Sequence, residues 1–407
     1  MPTLTQFKMS QLAATAAAGV EVTNAEVLSQ SEAAVIMLEN KDCQSVAGVC
    51  TDYSGNTYVA DNEQHCIFKI SEGGAINIWA GSPGDSGRNG TLQNVATGTA
   101  RFYAPTGICC DRTGNVYVAD TGNNQIRKID QAQRVSVIAG NGSGTAGLVN
   151  GDFGAAMFNG PQDICVDNSG VLYVADTGNH TIRKIYNGST VISIAGAGSA
   201  ADAENIRASN QLNAFDTPRG IAVDNSGNIY VADTGNRKIK KIIPKGWIYL
   251  HSGTGTQGRS LGASVNGATN AYTCTYDTPR YLNIDSSGNL YIIDVNTTNG
   301  SRLVKLNYDG VPSVVADFNP ATTYSDFTIG VAVSPAQKLF VTIATSAEAN
   351  SSSSSVDSSS SSSVDSSSSS SVDSSSSSSS EGYSSSSSSS VDSSSSSSVD
   401  SSSSSSS

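Results

Sequence analysis

An all-β fold, a six-bladed β-propeller of four-stranded antiparallel blades with a disordered serine-rich C-terminal tail, is predicted by three observations in this sequence. Near-identical segments recur at 116–129 (VYVADTGNNQIRKI), 172–185 (LYVADTGNHTIRKI) and 229–242 (IYVADTGNRKIKKI). Each sits in a longer unit of short β-rich runs punctuated by Gly, Asn, Asp and Ser, and from 351 to 407 the chain is serine broken mainly by Val-Asp. A long fixed period signals a repeat architecture, because one supersecondary unit can bury its apolar faces only against its neighbours.

The unit at 161–198 divides into four strands: a at 163–167, b at 171–176, c at 181–185 and d at 191–195. Turn residues mark every join. Four antiparallel strands per repeat make one propeller blade. Strand b is apolar on both faces, as a strand sandwiched between neighbouring blades requires. Weaker copies extend the pattern through 56–61 with 68–70 and through 289–294 with 304–306, each marked by the aspartate that ends strand b: Asp61, Asp120, Asp176, Asp233 and Asp294. A sixth unit begins at 330–334 and 338–343, but Ile343 stands where the aspartate belongs. The missing outer strands are sought in the N-terminal arm, at 5–10 and 33–39, since closure by both termini removes an exposed sheet edge. The alternative is an Ala-rich helical arm at 11–20. The expected organisation is therefore an arm at 1–44, a propeller at 45–345 and a low-complexity tail at 346–407.

The YVADTGN-x-x-I-[RK]-K-I core, together with the preceding strand at 218–224 (PRGIAVD), resembles the NHL repeat, the unit of a family of six-bladed β-propellers. The likeness spans roughly 45–343 and is strongest over 105–242. It implies the fold more than the function, since propellers host enzymes, sensors and binding platforms alike.

Composition narrows the function. The net charge is −12, and the tail supplies half of it through five aspartates and Glu381. Serine and aspartate bury too little apolar surface to offset the entropy of ordering, so the tail is expected to be disordered. Some NHL proteins bind RNA on a basic face, but both parts of this chain are acidic and no nucleic-acid partner is expected. The strand-c pairs Arg127-Lys128, Arg183-Lys184 and Lys240-Lys241 read as stems covering the sheet with their charges in water. Of the seven cysteines, Cys50, Cys109 and Cys165 share one strand-a column, which favours small apolar packing beside the axis over disulfides. No conventional secretory signal and no membrane span is read. The Asn-x-Ser/Thr triplets at Asn89, Asn141, Asn179, Asn187, Asn296 and Asn299 read as turn chemistry. An acidic serine spacer nevertheless suits a protein displayed on a cell surface, outside the cell or on a virus particle.

In a propeller the b-to-c loops and the blade linkers share one face, and here the linkers at 81–104, 140–160, 196–217 and 253–278 are long. Long loops on a rigid scaffold are where binding usually happens, although in bacterial NHL proteins such glycine-rich linkers also pack over blade junctions. Contacts on this face are expected from the b-to-c turn residues His65, Asn124, His180 and Arg237. At its centre, the residues entering strand a form a ring by register, in which Gln162, Asp163, Arg219, Arg280 and Tyr281 depart from small residues. Two arginines, a tyrosine and an amide at a channel mouth suit an anionic or sugar-like ligand; the plainer reading pairs the arginines with nearby aspartates.

No catalytic residue is assigned. NHL-type amidating lyases hold a metal with several channel histidines, but none of His65, His180 and His251 falls in the innermost strand. Asp163 and Asn283 are too sparse for a calcium cage, and the Asp-Thr-Gly-Asn turns read as hairpin hydrogen bonding. No metal or cofactor is expected. The chain reads as a non-enzymatic binding, adhesion or structural module with a protein or glycan partner, a monomeric propeller within a larger assembly. The alternative is a propeller lyase or hydrolase acting at the channel mouth.

Overall fold

The computed structural model describes residues 45–319 apart from 73–74, 88–94, 97–98, 208–213, 263, 266–267, 270 and 297–299, together with strands at 6–8, 21–23, 33–38, 328–333 and 339–344. The chain divides into units at 1–354 and 355–407. The second unit, and the stretch at 11–20, lie outside the described residues.

Three strands precede the repeats: β1 (Gln6–Lys8), β2 (Glu21–Thr23) and β3 (Ala33–Leu38). The first blade is β4 (Val46–Thr51), β5 (Thr57–Asp61), β6 (Cys66–Ile70) and β7 (Ile76–Ala80). After β8 (Val95–Ala96), the second is β9 (Pro105–Cys110), β10 (Val116–Asp120), β11 (Gln125–Ile129) and β12 (Arg134–Ala139). The third is β13 (Pro161–Val166), β14 (Leu172–Asp176), β15 (Thr181–Tyr186) and β16 (Thr190–Ala195). After β17 (Ile206–Arg207), the fourth is β18 (Pro218–Val223), β19 (Ile229–Asp233), β20 (Lys238–Ile242) and β21 (Trp247–Ser252). After the short hairpin of β22 (Ser264–Val265) and β23 (Ala268–Thr269), the fifth is β24 (Pro279–Ile284), β25 (Leu290–Asp294), β26 (Ser301–Leu306) and β27 (Pro312–Asn319). The last strands are β28 (Thr328–Val333) and β29 (Leu339–Ala344).

The result is a β-propeller of five antiparallel blades, not the six expected. The remaining sheet runs β1-β3-β29-β28 and is mixed, because β29 pairs in parallel with β3 while β28 and β29 are antiparallel. Strict four-strand blades are also too simple: β8, β17 and β2 add a fifth strand outside β12, β21 and β27. Such additions cover edges that would otherwise stay unpaired.

Strand b is buried along its whole length in every blade. Its two faces feed two cores. In β10, Val116 and Val118 pack with Tyr58 and Ile67 of the preceding blade, while Tyr117 and Ala119 pack with Ile164 and Val174 of the following one. Each large side chain so buried contributes about 1.5–3 kcal/mol.

The expectation that both basic residues of each strand-c pair reach water holds for the second and fails for the first. Lys128, Lys184 and Lys241 rest 5.8, 6.0 and 5.0 Å from the ring centroids of Tyr117, Tyr173 and Tyr230. Arg127, Arg183 and Lys240 are instead fully buried. They pair with the strand-b aspartates at 3.2 Å to Asp120, 2.8 Å to Asp176 and 2.7 Å to Asp233; Arg302 and Asp294 repeat the pair at 3.1 Å. A carboxylate buried between blades needs a counter-charge, and the facing strand supplies it.

The Asp-Thr-Gly-Asn turn is likewise a clamp between units rather than the self-contained hairpin expected. Its aspartate accepts a linker N–H, from Tyr103 to Asp120 at 2.8 Å, Asn159 to Asp176 at 2.8 Å and Asp216 to Asp233 at 2.7 Å. In the first blade this aspartate, Asp61, accepts hairpin backbone N–H groups, from Glu63 and Gln64, and in the next three the turn's own asparagine amide also donates to it, as from Asn179 to Asp176 at 2.8 Å. The threonine donates to the next blade's proline carbonyl, from Thr121 to Pro161 at 2.6 Å and from Thr234 to Pro279 at 2.6 Å. The asparagine donates to a linker carbonyl, as Asn179 does to Gly147 at 2.8 Å. At Gly178 a Cβ would stand 2.6 Å from the Asn159 carbonyl oxygen, so the turn must be glycine there. Linker backbone groups buried over the junction need these partners.

Candidate functional site at the mouth of the central channel

Strand a of each blade carries a bulge against strand b at one repeated position. The pairing jumps between Val46 and Gly48, Pro161 and Asp163, Pro218 and Gly220, and Pro279 and Tyr281, and between Pro105 and Ile108 in the second blade. The unpaired residues include Ala47, Gln162, Arg219 and Arg280, members of the ring read from the repeat register. A bulge re-aims a side chain out of the ladder, so the fold itself singles out these positions.

One residue further on, glycine is required in the first, second and fourth blades, where the neighbouring inner strand approaches closely. A Cβ at Gly48 would collide with the Thr106 carbonyl oxygen, one at Gly107 would stand 2.6 Å from Asp163 Oδ1, and one at Gly220 would collide with the Arg280 carbonyl oxygen. Asp163 and Tyr281 occupy the equivalent positions of the third and fifth blades and line a central cavity of about 250 Å³. Cys50, Cys109, Cys110 and Cys165 line it too. All four are free thiols, and burial raises those of Cys50, Cys109 and Cys165.

Asp163 Oδ1 accepts the Ile164 N–H at 2.8 Å and Oδ2 accepts the Ile221 N–H at 2.9 Å, which ties the third blade to the fourth. Burial outweighs those two bonds and pushes its carboxyl up to about 7. Burial also raises the Tyr281 phenol, against the pull of Arg280. Arg219 is held below the ordinary arginine value, first by burial and then by the neighbouring Arg280 cation. Among the described residues neither arginine has a carboxylate partner, and the buried Nε of each lacks a hydrogen bond. The Gln162 carbonyl oxygen accepts the Thr106 hydroxyl at 2.6 Å. Among the described residues no group of three or more His, Cys, Asp or Glu is placed to hold a metal ion.

The four turn residues on the linker face share one backbone conformation, with φ of 59° at His65, 51° at Asn124, 51° at His180 and 54° at Arg237. Three of them face inward to the chain. His65 Nδ1 accepts the Ala104 N–H at 3.1 Å, Asn124 Oδ1 accepts the Gly160 N–H at 2.7 Å and His180 Nδ1 accepts the Thr217 N–H at 3.0 Å. Each acceptor thus tethers the residue just before the next blade's proline. Arg237 has no acceptor to offer, and its buried Nε has no hydrogen bond among the described residues. Repeat register finds these shared positions; it does not reveal the tethers, because their partners lie in linkers of unequal length.

The NHL repeat family pattern matches residues 102–129, 158–185 and 215–242. NHL repeat-containing protein 2 of Bos taurus is 32% identical over 133 residues, covering 31% of this chain and 18% of that protein. Teneurin-3 of Danio rerio is 27% identical over 284 residues, covering 63% of this chain and 10% of that protein. The chain thus spans under a fifth of the length of these curated relatives. A gluconolactonase structure from Xanthomonas campestris superposes with a TM-score of 0.46 at 15% identity, covering 75% of this chain and 84% of that one. The three matched segments coincide with the clamped Asp-Thr-Gly-Asn blades, so the second, third and fourth blades of this propeller are NHL repeats.

Proposed function

We propose that this propeller is a non-enzymatic binding module whose channel mouth takes an anionic group of a protein or glycan partner, framed by the long linkers, with the serine-rich segment as a spacer. The observation that carries the reading is the unpaired couple Arg219 and Arg280. Two like charges held half-buried and without a carboxylate partner among the described residues are unfavourable in the free protein. An incoming carboxylate or phosphate relieves both the repulsion and the unmet hydrogen bonds. Gln162 adds a neutral amide at the same bulge position, while Asp163 and Tyr281 stand one residue further along strand a, Asp163 with both oxygens already engaged.

Calorimetric titration of the whole chain with hexaglutamate and with oligogalacturonate tests this. At least one is expected to bind, more weakly as salt is raised. The Arg219→Met/Arg280→Met variant is expected to lose more than about tenfold in affinity, the worth of one charge-assisted bond. Absence of binding by both, or binding untouched by the double variant, contradicts the proposal.

A second reading, a lyase or hydrolase, draws on one observation: Asp163 carries a carboxyl that titrates to about 7 beside the channel, and such perturbation clusters at active sites. Turnover of an ester or lactone that disappears in Asp163→Asn would favour it over the binding module.

A further inference from the structure

Strand d carries a second repeated bulge, against strand c, and the residue it leaves unpaired is Trp79, Ile138, Ile194, His251 and Val315 in the five blades. Four are apolar. The fourth blade alone places an imidazole there, edge-on to Tyr230 with centroids 4.9 Å apart. Burial first, and then the Lys241 cation, hold His251 down to about 4. It is therefore neutral near pH 7 and offers one N–H donor and one bare acceptor. Among the described residues neither ring nitrogen has a hydrogen-bond partner.

Two grooves meet at this residue. One, of about 340 Å³, is walled by Asp224, Asn228, Asp285 and Tyr308; the other, of about 520 Å³, by Glu204, Asn205, Tyr249 and Tyr272; both include Lys241 and His251. The fourth blade also departs from the repeat along the rest of β21. Trp247 and Tyr249 stand where the second blade has Arg134 and Ser136 and the third has Thr190 and Ile192. Two residues apart on a strand, they share a face, and they stack with centroids 6.5 Å apart and planes 23° from parallel. They are 41% and 37% exposed, and Tyr272 is 56% exposed.

We propose that the two grooves meeting at His251 form a saccharide-binding site, with Tyr249 and Tyr272 as platforms for neutral sugar rings, Trp247 extending the first by stacking on Tyr249, and His251 and Lys241 as hydroxyl partners. Flat exposed rings beside convergent polar groups match a sugar, whose C–H face is apolar and whose rim is hydroxyl. An acidic sugar fits less well. Asp224 and Asp285 stand in the wall, each already saturated by its own turn through Asn228 and Asn289 and by Tyr230 and Tyr291. An extended apolar peptide would leave His251 and the polar wall unpartnered. The site is independent of the arginines at the channel mouth and stands on different residues.

Affinity electrophoresis of the whole chain in gels containing glucan, mannan, galactan, xylan or polygalacturonate tests the proposal. At least one neutral polysaccharide is expected to retard the protein. Retardation is expected to weaken roughly tenfold in Tyr249→Ala, as for loss of one stacked ring with its buried area, to persist in Tyr249→Phe and to be unchanged in Arg219→Met/Arg280→Met. Because Tyr249 is exposed, the Ala variant retains its fold, which unchanged thermal unfolding verifies. The proposal is overturned if no neutral polysaccharide retards the chain, if Tyr249→Ala and Trp247→Ala are retarded as strongly as the parent, or if only polygalacturonate acts and does so through the two arginines.

Discussion

At the scale of single residues, the energetics concentrate in four buried ion pairs and one lone carboxyl. Arg183 holds Asp176 at 2.8 Å and also donates to the carbonyls of Met157 at 2.8 Å and Val149 at 2.7 Å. Arg183→Met leaves a buried carboxylate and two carbonyls uncompensated, and is expected to destabilise by about 3–5 kcal/mol in urea denaturation. Arg183→Lys is expected to cost less, since the fourth blade uses Lys240 in the same slot. Asp163 has no cation to answer its charge, so its pH dependence has a definite sign. With a carboxyl raised from 3.8 to about 7, the folded state holds a proton that the unfolded chain has released across that window. Stability from this group is full below 3.8 and lost as pH rises through 7. Denaturation midpoints measured between pH 4 and 8 should therefore fall more steeply in the parent than in Asp163→Asn.

At the scale of the element, the b-to-c turn couples each blade to the linker that follows. Asn124 combines a left-handed backbone, φ 51°, with an acceptor for the Gly160 N–H. Asn124→Gly keeps the conformation and removes the bond, so it should destabilise by about 0.5–1.5 kcal/mol. Asn124→Ala should do worse by about 1 kcal/mol more, the cost of forcing alanine into that region. Equal losses in the two variants would mean that the tether contributes and the backbone does not. The blade strands themselves were legible from alternation, turn residues and the repeated aspartate, and β14 and β15 start within one residue of expectation. The identity of the buried cation was not legible. Arg127 and Lys128 are chemically alike in a string of letters, and only the register of β11 against β10 decides which of them faces Asp120.

At the scale of the whole molecule, the period announces a ring but not how the ring ends. The sixth unit lacks the strand-b aspartate, and one of its two strands, β29, pairs in parallel with β3, a segment hundreds of residues away. A long-range parallel pairing has no local turn to signal it. The bulge positions of strand a were legible as a register, because Gln162, Arg219 and Arg280 sit at one position of the repeat and Asp163 and Tyr281 at the next. The groove around His251 was not, because it arises where the fourth blade departs from that repeat. Whether the two arginines are kept for a ligand or for the fold is then a matter of their cost to the free protein. Residues held for binding are expected to be unfavourable for stability.

The most direct measurement is thermal unfolding of the whole chain and of Arg219→Met/Arg280→Met, each with and without hexaglutamate and oligogalacturonate. The account predicts that without ligand the double variant melts a few degrees higher, because two half-buried unpaired cations are gone, and that at least one of the anions raises the midpoint of the parent only. A double variant that melts lower than the parent, while neither anion shifts the parent's midpoint, would show that the arginines serve the fold and contradict the account.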